Sequence, residues 1–362
     1  MNKVALNVLK KINDNGYKAF LVGGYPRDLY LNKESIDFDI CTSATPKQLK
    51  DIFGDLILPS ENYGSVTLIL NNFRFEITTF RRELKYLNNR KPIEIEYVTD
   101  LLEDLKRRDF TMNTMCIDKN GLLIDLLDGK SDIDNRVIKT VGDAFKKIEE
   151  DSLRILRAIR FSTVLNFELT DDLKSAILKN KHLLKNLSYY RKKEELDKIF
   201  SHPNVSVGIK LIKELELDKE LELSNIDKLI PTTYQIGIWA QLDVTSKYSF
   251  NKVEKTTIKQ INELRNLNVL DPNNIYKYGL YIATIVGEIL KIDIKKINEI
   301  YNNLYIHNKS EIKIEASEIC VLLNKKAGKF LNEIYSDLEY KLVNKLIVNK
   351  KEDLKKYILE NY

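Results

Sequence analysis

Leu21-Val22-Gly23-Gly24-Tyr25-Pro26-Arg27-Asp28-Leu29 and Ile36-Asp37-Phe38-Asp39-Ile40, whose Asp37 comes thirteen residues after Gly24, decide how this chain is read. The first stretch is an apolar run that breaks at two glycines and restarts with a proline, the pattern of a strand turning into a helix whose first turn holds Pro26. Gly23 and Gly24 at such a turn let a triphosphate approach backbone N–H groups and the positive end of the helix dipole. In the second stretch, alternation along a strand puts Asp37 and Asp39 on one face and Phe38 on the other. Two acids so close repel each other unless a cation lies between them, so the pair points to a metal.

Working outward, residues 18–22, 36–42, 65–70, 74–79 and 93–98 carry strand patterns. Asn71-Asn72 marks a hairpin, and Gly121 marks a turn before 122–126. Glu76, in Phe75-Glu76-Ile77, is the candidate third carboxylate from a neighbouring strand. Three acids from two strands suit two Mg²⁺ ions about 3.5–4 Å apart, one activating a hydroxyl and one stabilising a leaving pyrophosphate. After Gly142 the periodicity is helical to the C-terminus, with breaks at His202-Pro203-Asn204, Pro231 and Asp271-Pro272. The expected class is α+β: a head with a small mixed or antiparallel sheet, then an elongated all-α neck, body and tail. Its divisions are 1–140, 141–203, 204–275 and 276–362.

The 362 residues, 43% hydrophobic, are enough to bury a sizeable core, and a net charge of +5 suits a polyanionic partner without requiring one. No run of 18 apolar residues occurs and residues 1–11 lack a secretory apolar block, so a soluble cytoplasmic protein with no membrane partner is expected. Cys41, Cys116 and Cys320 are odd in number and far apart, which fits ordinary thiols better than disulfides or zinc. Of the thirteen arginines only Arg265 lies beyond Arg191, whereas lysines run throughout. Arginine confined to one region suggests a need there for a planar bidentate donor.

Gly23-Gly24-x-x-Arg27-Asp28 followed by Asp37-x-Asp39 resembles the signature of class II tRNA nucleotidyltransferases and bacterial poly(A) polymerases. The resemblance continues in order along nearly the whole chain. Arg107-Arg108-Asp109-Phe110-Thr111-x-Asn113 resembles the family's ribose-recognising element, and Val141-Gly142-Asp143 its head-to-neck hinge. Residues 188–200, with Arg191 and Glu195, resemble a neck-stabilising helix, with Tyr190 where an acid is usual. Residues 314–330 resemble a tail segment that meets tRNA, with Gly328-Lys329 in place of Gly-Pro.

The most specific match is 150–161, Glu-Asp-Ser-Leu-Arg-Ile-Leu-Arg-Ala-Ile-Arg-Phe, which resembles the family's nucleotide-selecting helix. At about 100° per residue, Asp151, Arg154 and Arg157 share one ridge of a helix while Leu153, Leu156 and Ile159 pack inward. Arg160 lies half a turn from Asp151 and is less well supported by geometry. An Asp accepting from an exocyclic amine beside an Arg donating to the adjacent ring nitrogen fits cytosine and adenine; uracil and guanine invert the pattern.

The resemblance implies an enzyme adding CMP, CMP and AMP from CTP and ATP to a tRNA 3′ end, with Asp37 and Asp39 on the metals and Gly24 and Arg27 on the triphosphate. Arg108, Asp109 and Asn113 fall to the ribose side, Asp151 and Arg154 to the base, Arg157 and Arg160 to base or phosphate. The helical half is expected to hold the acceptor and T arms of tRNA by shape through Lys295-Lys296, Lys325-Lys326, Lys350-Lys351 and Lys355-Lys356, with no DNA partner. Trp239, Tyr234, Tyr301 and Tyr305 are assigned to helix packing. No His-Asp doublet accompanies His182, His202 or His307, so the phosphohydrolase domain attached to some relatives is not expected. A poly(A) polymerase would share the catalytic residues but commonly carries an extended basic C-terminus. A CC-adding enzyme would have a shortened form of the flexible loop that 81–92, with Tyr86 and Arg90, resembles. A non-catalytic RNA-binding module would not need both Asp37 and Asp39.

Overall fold

The computed structural model describes residues 2–59, 64–87 and 91–362, in two compact units, Met1–Glu222 and Leu223–Tyr362. In the first unit, strands β1 (Ala19–Val22), β2 (Phe38–Thr42), β3 (Ile57–Pro59), β4 (Ser65–Leu70), β5 (Phe73–Thr79), β8 (Cys116–Ile117) and β9 (Leu123–Ile124) form one sheet in the order β3-β4-β5-β2-β1-β8-β9. The β2/β5 pair is parallel and the other neighbours are antiparallel, so the sheet is mixed, as expected. Asn71 and Asn72 both take positive φ, 50° and 62°, the backbone that a two-residue hairpin requires.

Around the sheet lie α1 (Lys3–Asp14), α2 (Gly24–Tyr30), α3 (Pro46–Phe53), α4 (Leu101–Lys106) and α5 (Gly129–Asp134). The first begins where the Asn2 side chain accepts the Val4 and Ala5 N–H groups, and buries Ala5, Val8, Leu9 and Ile12 at helical spacing. The third opens with a Thr45–Gln48 capping box. One face of the sheet closes over Leu21, Phe38, Ile40, Phe75 and Ile77, with the Phe38 and Phe75 rings stacked at 5.2 Å. The other face carries Val22, Cys41 and Cys116, on which Leu101 and Leu105 of α4 pack. Asp39 shares that second face with Cys41, so packing of α4 delivers the helix end at Arg107 and Arg108 to Asp39.

Two expectations are corrected. Residues 81–87 and 91–92 are strand and not loop: β6 (Arg81–Leu87) pairs antiparallel with β7 (Lys91–Tyr97), of which 93–97 was expected as strand, in a separate two-stranded sheet. The many charges of β6 hide its strand pattern, because a ribbon apart from the main sheet needs no continuous apolar face. Arg90 and the side chain of Tyr86 lie outside the described residues. The neck also holds a strand, β11 (Glu168–Leu169), parallel to β10 (Val137–Ile138) at the end of the head. Otherwise the rest of the first unit is helical, with α6 (Ala144–Glu150), α7 (Leu153–Leu165), α8 (Asp171–Asn180) and α9 (Tyr189–Phe200) in the neck and α10 (Val205–Glu214) and α11 (Asp218–Leu221) beyond it.

The second unit is built from α12 (Gln235–Gln241), α13 (Lys252–Leu264), α14 (Pro272–Leu290), α15 (Ile294–Asn302), α16 (Ala316–Leu322), α17 (Phe330–Val343) and α18 (Lys351–Asn361). Trp239 is buried against Tyr248 and Phe250, at ring separations of 5.1 and 5.4 Å, and Tyr234 packs on Tyr281 at 4.9 Å. These aromatics therefore serve helix packing, as expected. No helix among the described residues is long and apolar enough to cross a membrane.

Candidate active site

A cavity of about 570 Å³ opens in the first unit between the end of β1, the start of β2, the end of α4 and α7. One wall is acidic. Asp39 lies in β2 beside Val22 of β1, and Asp37 stands one residue before the strand; both line the cavity, while Phe38 points into the core. Gly23, at φ 82°, closes this wall: a Cβ there would come within 3.0 Å of the Asp39 carboxylate, so the turn and the acid fit only because residue 23 has no side chain. Burial, together with the neighbouring Asp37 charge, pushes the Asp39 carboxyl up to about 6; Arg108 and Arg157 pull it down and Glu76 adds to the rise. Glu76 is the in-register neighbour of Asp39 on β5 but does not line the cavity, and its carboxylate accepts from Arg74 at 2.6 Å.

The opposite wall consists of arginines, each held by an acid. Arg27 donates to Asp28 through Nη2 at 2.7 Å and to Asn113 Oδ1 through Nη1 at 2.8 Å. Arg107 Nε and Arg108 Nη2 donate to the two oxygens of Asp104 at 2.8 and 3.1 Å, and the Arg81 N–H adds a bond at 3.2 Å. Asp104 is wholly buried; although burial acts against it, the Arg108 and Arg107 charges hold its carboxyl below the usual range. Arg157 Nε donates to Asp109 at 2.7 Å, and Asp109 also accepts from the Phe110 N–H and the Asn113 amide. These donors outweigh burial and hold Asp109 far below the ordinary carboxylate range. Arg160 pairs with the buried Glu195 of α9 at 3.1 Å.

The nucleotide-selecting segment departs from the sequence reading in one respect. Asp151 is not part of α7: its backbone is extended (φ −143°, ψ 102°), it closes α6, and its carboxylate accepts the Leu153 N–H at 3.0 Å. A residue that caps the next helix cannot also lie within it, so the shared ridge holds for Arg154 and Arg157 but not for Asp151. Arg154 Nη1 donates to the Lys147 carbonyl and to Glu150, and Nη2 to the Arg107 carbonyl at 3.2 Å, which fixes its guanidinium at the cavity wall. Arg160, the residue least supported by helical geometry, lines the same cavity.

The Poly A polymerase head domain family matches residues 19–139, the family described as a probable RNA and SrmB-binding site of polymerase A matches 166–224, and tRNA nucleotidyltransferase domain 2 matches 244–358. The CCA-adding enzyme of Streptococcus agalactiae serotype V is 33% identical over 392 residues, covering 98% of this chain and 97% of that one. The chain belongs to the CCA-adding enzyme family. Among solved structures, the Bacillus stearothermophilus CCA-adding enzyme in complex with CTP is similar over 99% of this chain and 98% of that one, with a TM-score of 0.83 and 27% identity. The Thermotoga maritima CCA-adding enzyme complexed with tRNA shares the fold over 99% of this chain and 96% of that one, with a TM-score of 0.73 and 22% identity.

Within this family member, Gly23, Gly24, Arg27, Asp37, Asp39, Arg108, Asp109, Asn113, Asp151, Arg154, Arg157 and Arg160 all line one cavity; of the expected site residues, Glu76 stands apart. Asp104 and Glu83 escaped the sequence reading. Asp104 had a signal, since it precedes Arg107 and Arg108 by three and four residues, the spacing of paired charges on a helix. Glu195 stood in the neck-stabilising segment, but nothing along the chain paired it with Arg160, 35 residues before it.

Proposed function

We propose that this chain is a template-independent CCA-adding tRNA nucleotidyltransferase that transfers CMP, CMP and AMP from CTP and ATP to the 3′ end of tRNA in the cytoplasm, releasing pyrophosphate. The observation that carries this reading is the convergence of Asp37 and Asp39 with Asp151 and Arg154 on one cavity. Family membership over nearly the full length supports it. Gly23, Gly24 and Arg27 receive the triphosphate, Arg108, Asp109 and Asn113 the ribose side, and Arg157 and Arg160 the base or phosphate. Asp151 and Arg154 pair with cytosine or adenine, leaving buried polar groups unsatisfied against uracil or guanine.

Two cavity-lining carboxylates, one with raised proton affinity, form an oxygen donor set that suits Mg²⁺, which commonly takes one or two carboxylates and completes its shell with water and substrate phosphates. Among the described residues no group of three or more Asp, Glu, His or Cys side chains is placed as a metal cage, so Asp37 and Asp39 would hold the metal and Glu76 would act on Asp39 through its charge. Bound there, Mg²⁺ would activate the RNA 3′-hydroxyl and stabilise the departing pyrophosphate. The chain's own part is to align sugar, base and triphosphate along a cavity whose arginines are already fixed. The helical parts beyond the head, divided at about 203 and 275 as the sequence breaks suggest, would hold tRNA by its shape.

Purified protein with Mg²⁺, tRNA lacking its 3′ end and one labelled nucleotide at a time tests the reading. Extension by C, C and A that then stops supports it. Homopolymeric A indicates a poly(A) polymerase, addition stopping after CC or limited to A indicates a partial activity, and no extension leaves an RNA-binding module.

A further inference from the structure

Phe161, the last residue of the 150–161 segment, has no role in the assignments above. It is buried, it lines the cavity, and three guanidinium groups surround its ring: Arg160 at 4.5 Å from the centroid, Arg27 at 5.2 Å and Arg157 at 5.3 Å. Phe110 meets the ring edge-on at 5.7 Å and 84°, which fixes its orientation. The arginines come from two different helices, Arg27 from α2 after the Gly23-Gly24 turn and the other two from α7.

Three cations sharing one ring repel each other; burial lowers the proton affinity of Arg160, and the Arg157 and Arg27 charges add to that lowering. Each is drawn by its own polar partner, Arg27 by Asp28, Arg157 by Asp109 and Arg160 by Glu195. Those acids lie on different elements, so by themselves they would pull the guanidiniums apart. The negative face of an aromatic ring attracts cations without adding net charge. A carboxylate in its place would cancel the positive charge that faces an incoming phosphate.

We propose that Phe161 is a positioning residue that gathers Arg27, Arg157 and Arg160 around its ring, tying the triphosphate half of the nucleotide site to the base-reading half. This deepens the nucleotidyltransferase reading and rests on it for the identity of the bound molecule. Because the ring acts on cations and not on the base, it governs affinity for CTP and ATP alike.

The test replaces Phe161 with mono-, di- and trifluorinated phenylalanine, which keep the ring's shape while weakening its negative face, with Phe161→Leu as a fourth variant. The dissociation constant of CTP, read by calorimetry on the full chain, should climb stepwise with fluorine number and reach about ten-fold for the trifluoro ring. In tRNA extension, KM for CTP and ATP should follow while kcat stays within about two-fold. A flat series, or a loss confined to Phe161→Leu, would make the ring a packing element and overturn the proposal. Ring-current shifts of the Arg27, Arg157 and Arg160 side-chain resonances in ligand-free protein should disappear in Phe161→Leu, and their persistence would equally overturn it. Those two readouts need no RNA extension: failure of the wild-type protein to extend tRNA sinks the enzymatic reading, whereas unshifted arginines sink the ring's role.

Discussion

The charges of the first unit and those of the second solve different problems. In the first, the arginines that line the cavity are half-buried or buried, and Arg107 and Arg108 share Asp104, whose side chain is 0% exposed. In the second, lysines stand on open helix faces. Lys351 reaches Glu318 while half exposed, and Lys355 and Lys356 lie near acids of their own helix at 3.8 and 3.9 Å. Lys295, Lys296, Lys325 and Lys326 are exposed. A guanidinium buried with its partner is fixed in direction, which a site that must read atoms requires. An ammonium in water is a mobile point charge, sufficient for a partner met by shape and salt-sensitive in its effect. The lesson is that the arginine bias toward the first half of the sequence records where fixed geometry is needed.

The contrast would break most visibly at the acidic wall. Asp39→Ala should remove transfer by about 10³-fold or more in kcat, since several kcal/mol of metal stabilisation belong to the transition state, while tRNA binding measured by filter retention stays close to wild type. Surviving activity would mean that the metal assignment is wrong. Asp104→Ala should come next, stranding two buried guanidiniums and costing roughly 3–5 kcal/mol in a denaturant titration. Lys351→Ala, its counterpart in the second unit, should leave the denaturation midpoint close to wild type. Equal costs for the two would erase the distinction drawn between buried and exposed pairs.

Replacing Asp151 and Arg154 together by Ala should admit UTP, with CTP-over-UTP preference in single-turnover extension falling by about 10² or more. An unchanged preference would place the selector elsewhere. Smaller still is a stability effect with a definite sign. Asp39 holds its proton more tightly folded, with a pKa of about 6, than unfolded, where about 3.9 is normal. The native state therefore binds more protons between those values: this group's contribution to stability is fully present below about 3.9, is lost as pH rises to about 6, and is constant above that. Without metal and above about pH 7, Asp39→Asn should consequently raise the thermal midpoint by roughly 2–4 °C, even as it abolishes transfer. A lowered midpoint would show that the charge was already compensated. Lys325→Glu with Lys326→Glu should weaken tRNA binding several-fold and flatten its salt dependence, leaving CTP affinity unchanged.

The local devices of the head follow from sequence alone, because each depends on neighbours a few residues away. Alternation separates Asp37 and Asp39 from Phe38, paired asparagines make the hairpin between β4 and β5, and Gly23 makes the turn. Those rules also show their limits. Helical spacing extended two residues too far assigned Asp151 to α7, whereas its extended backbone lies between α6 and α7 and its carboxylate accepts the Leu153 N–H of the second. In the charged ribbon only 93–98 read as strand; its partner β6 escaped because strand recognition relies on an apolar face that this pair does not need. What only the tertiary structure decided is which acid holds which arginine and which ring gathers them. Asp104 is delivered to the site by Leu101 and Leu105 packing on the sheet, and Glu195 by a distant helix. Local pairs such as Asp104 with Arg107 and Arg108 leave a trace in helical spacing, but pairs such as Arg157 with Asp109 and Arg160 with Glu195 depend on distances across the chain, of which periodicity carries no record.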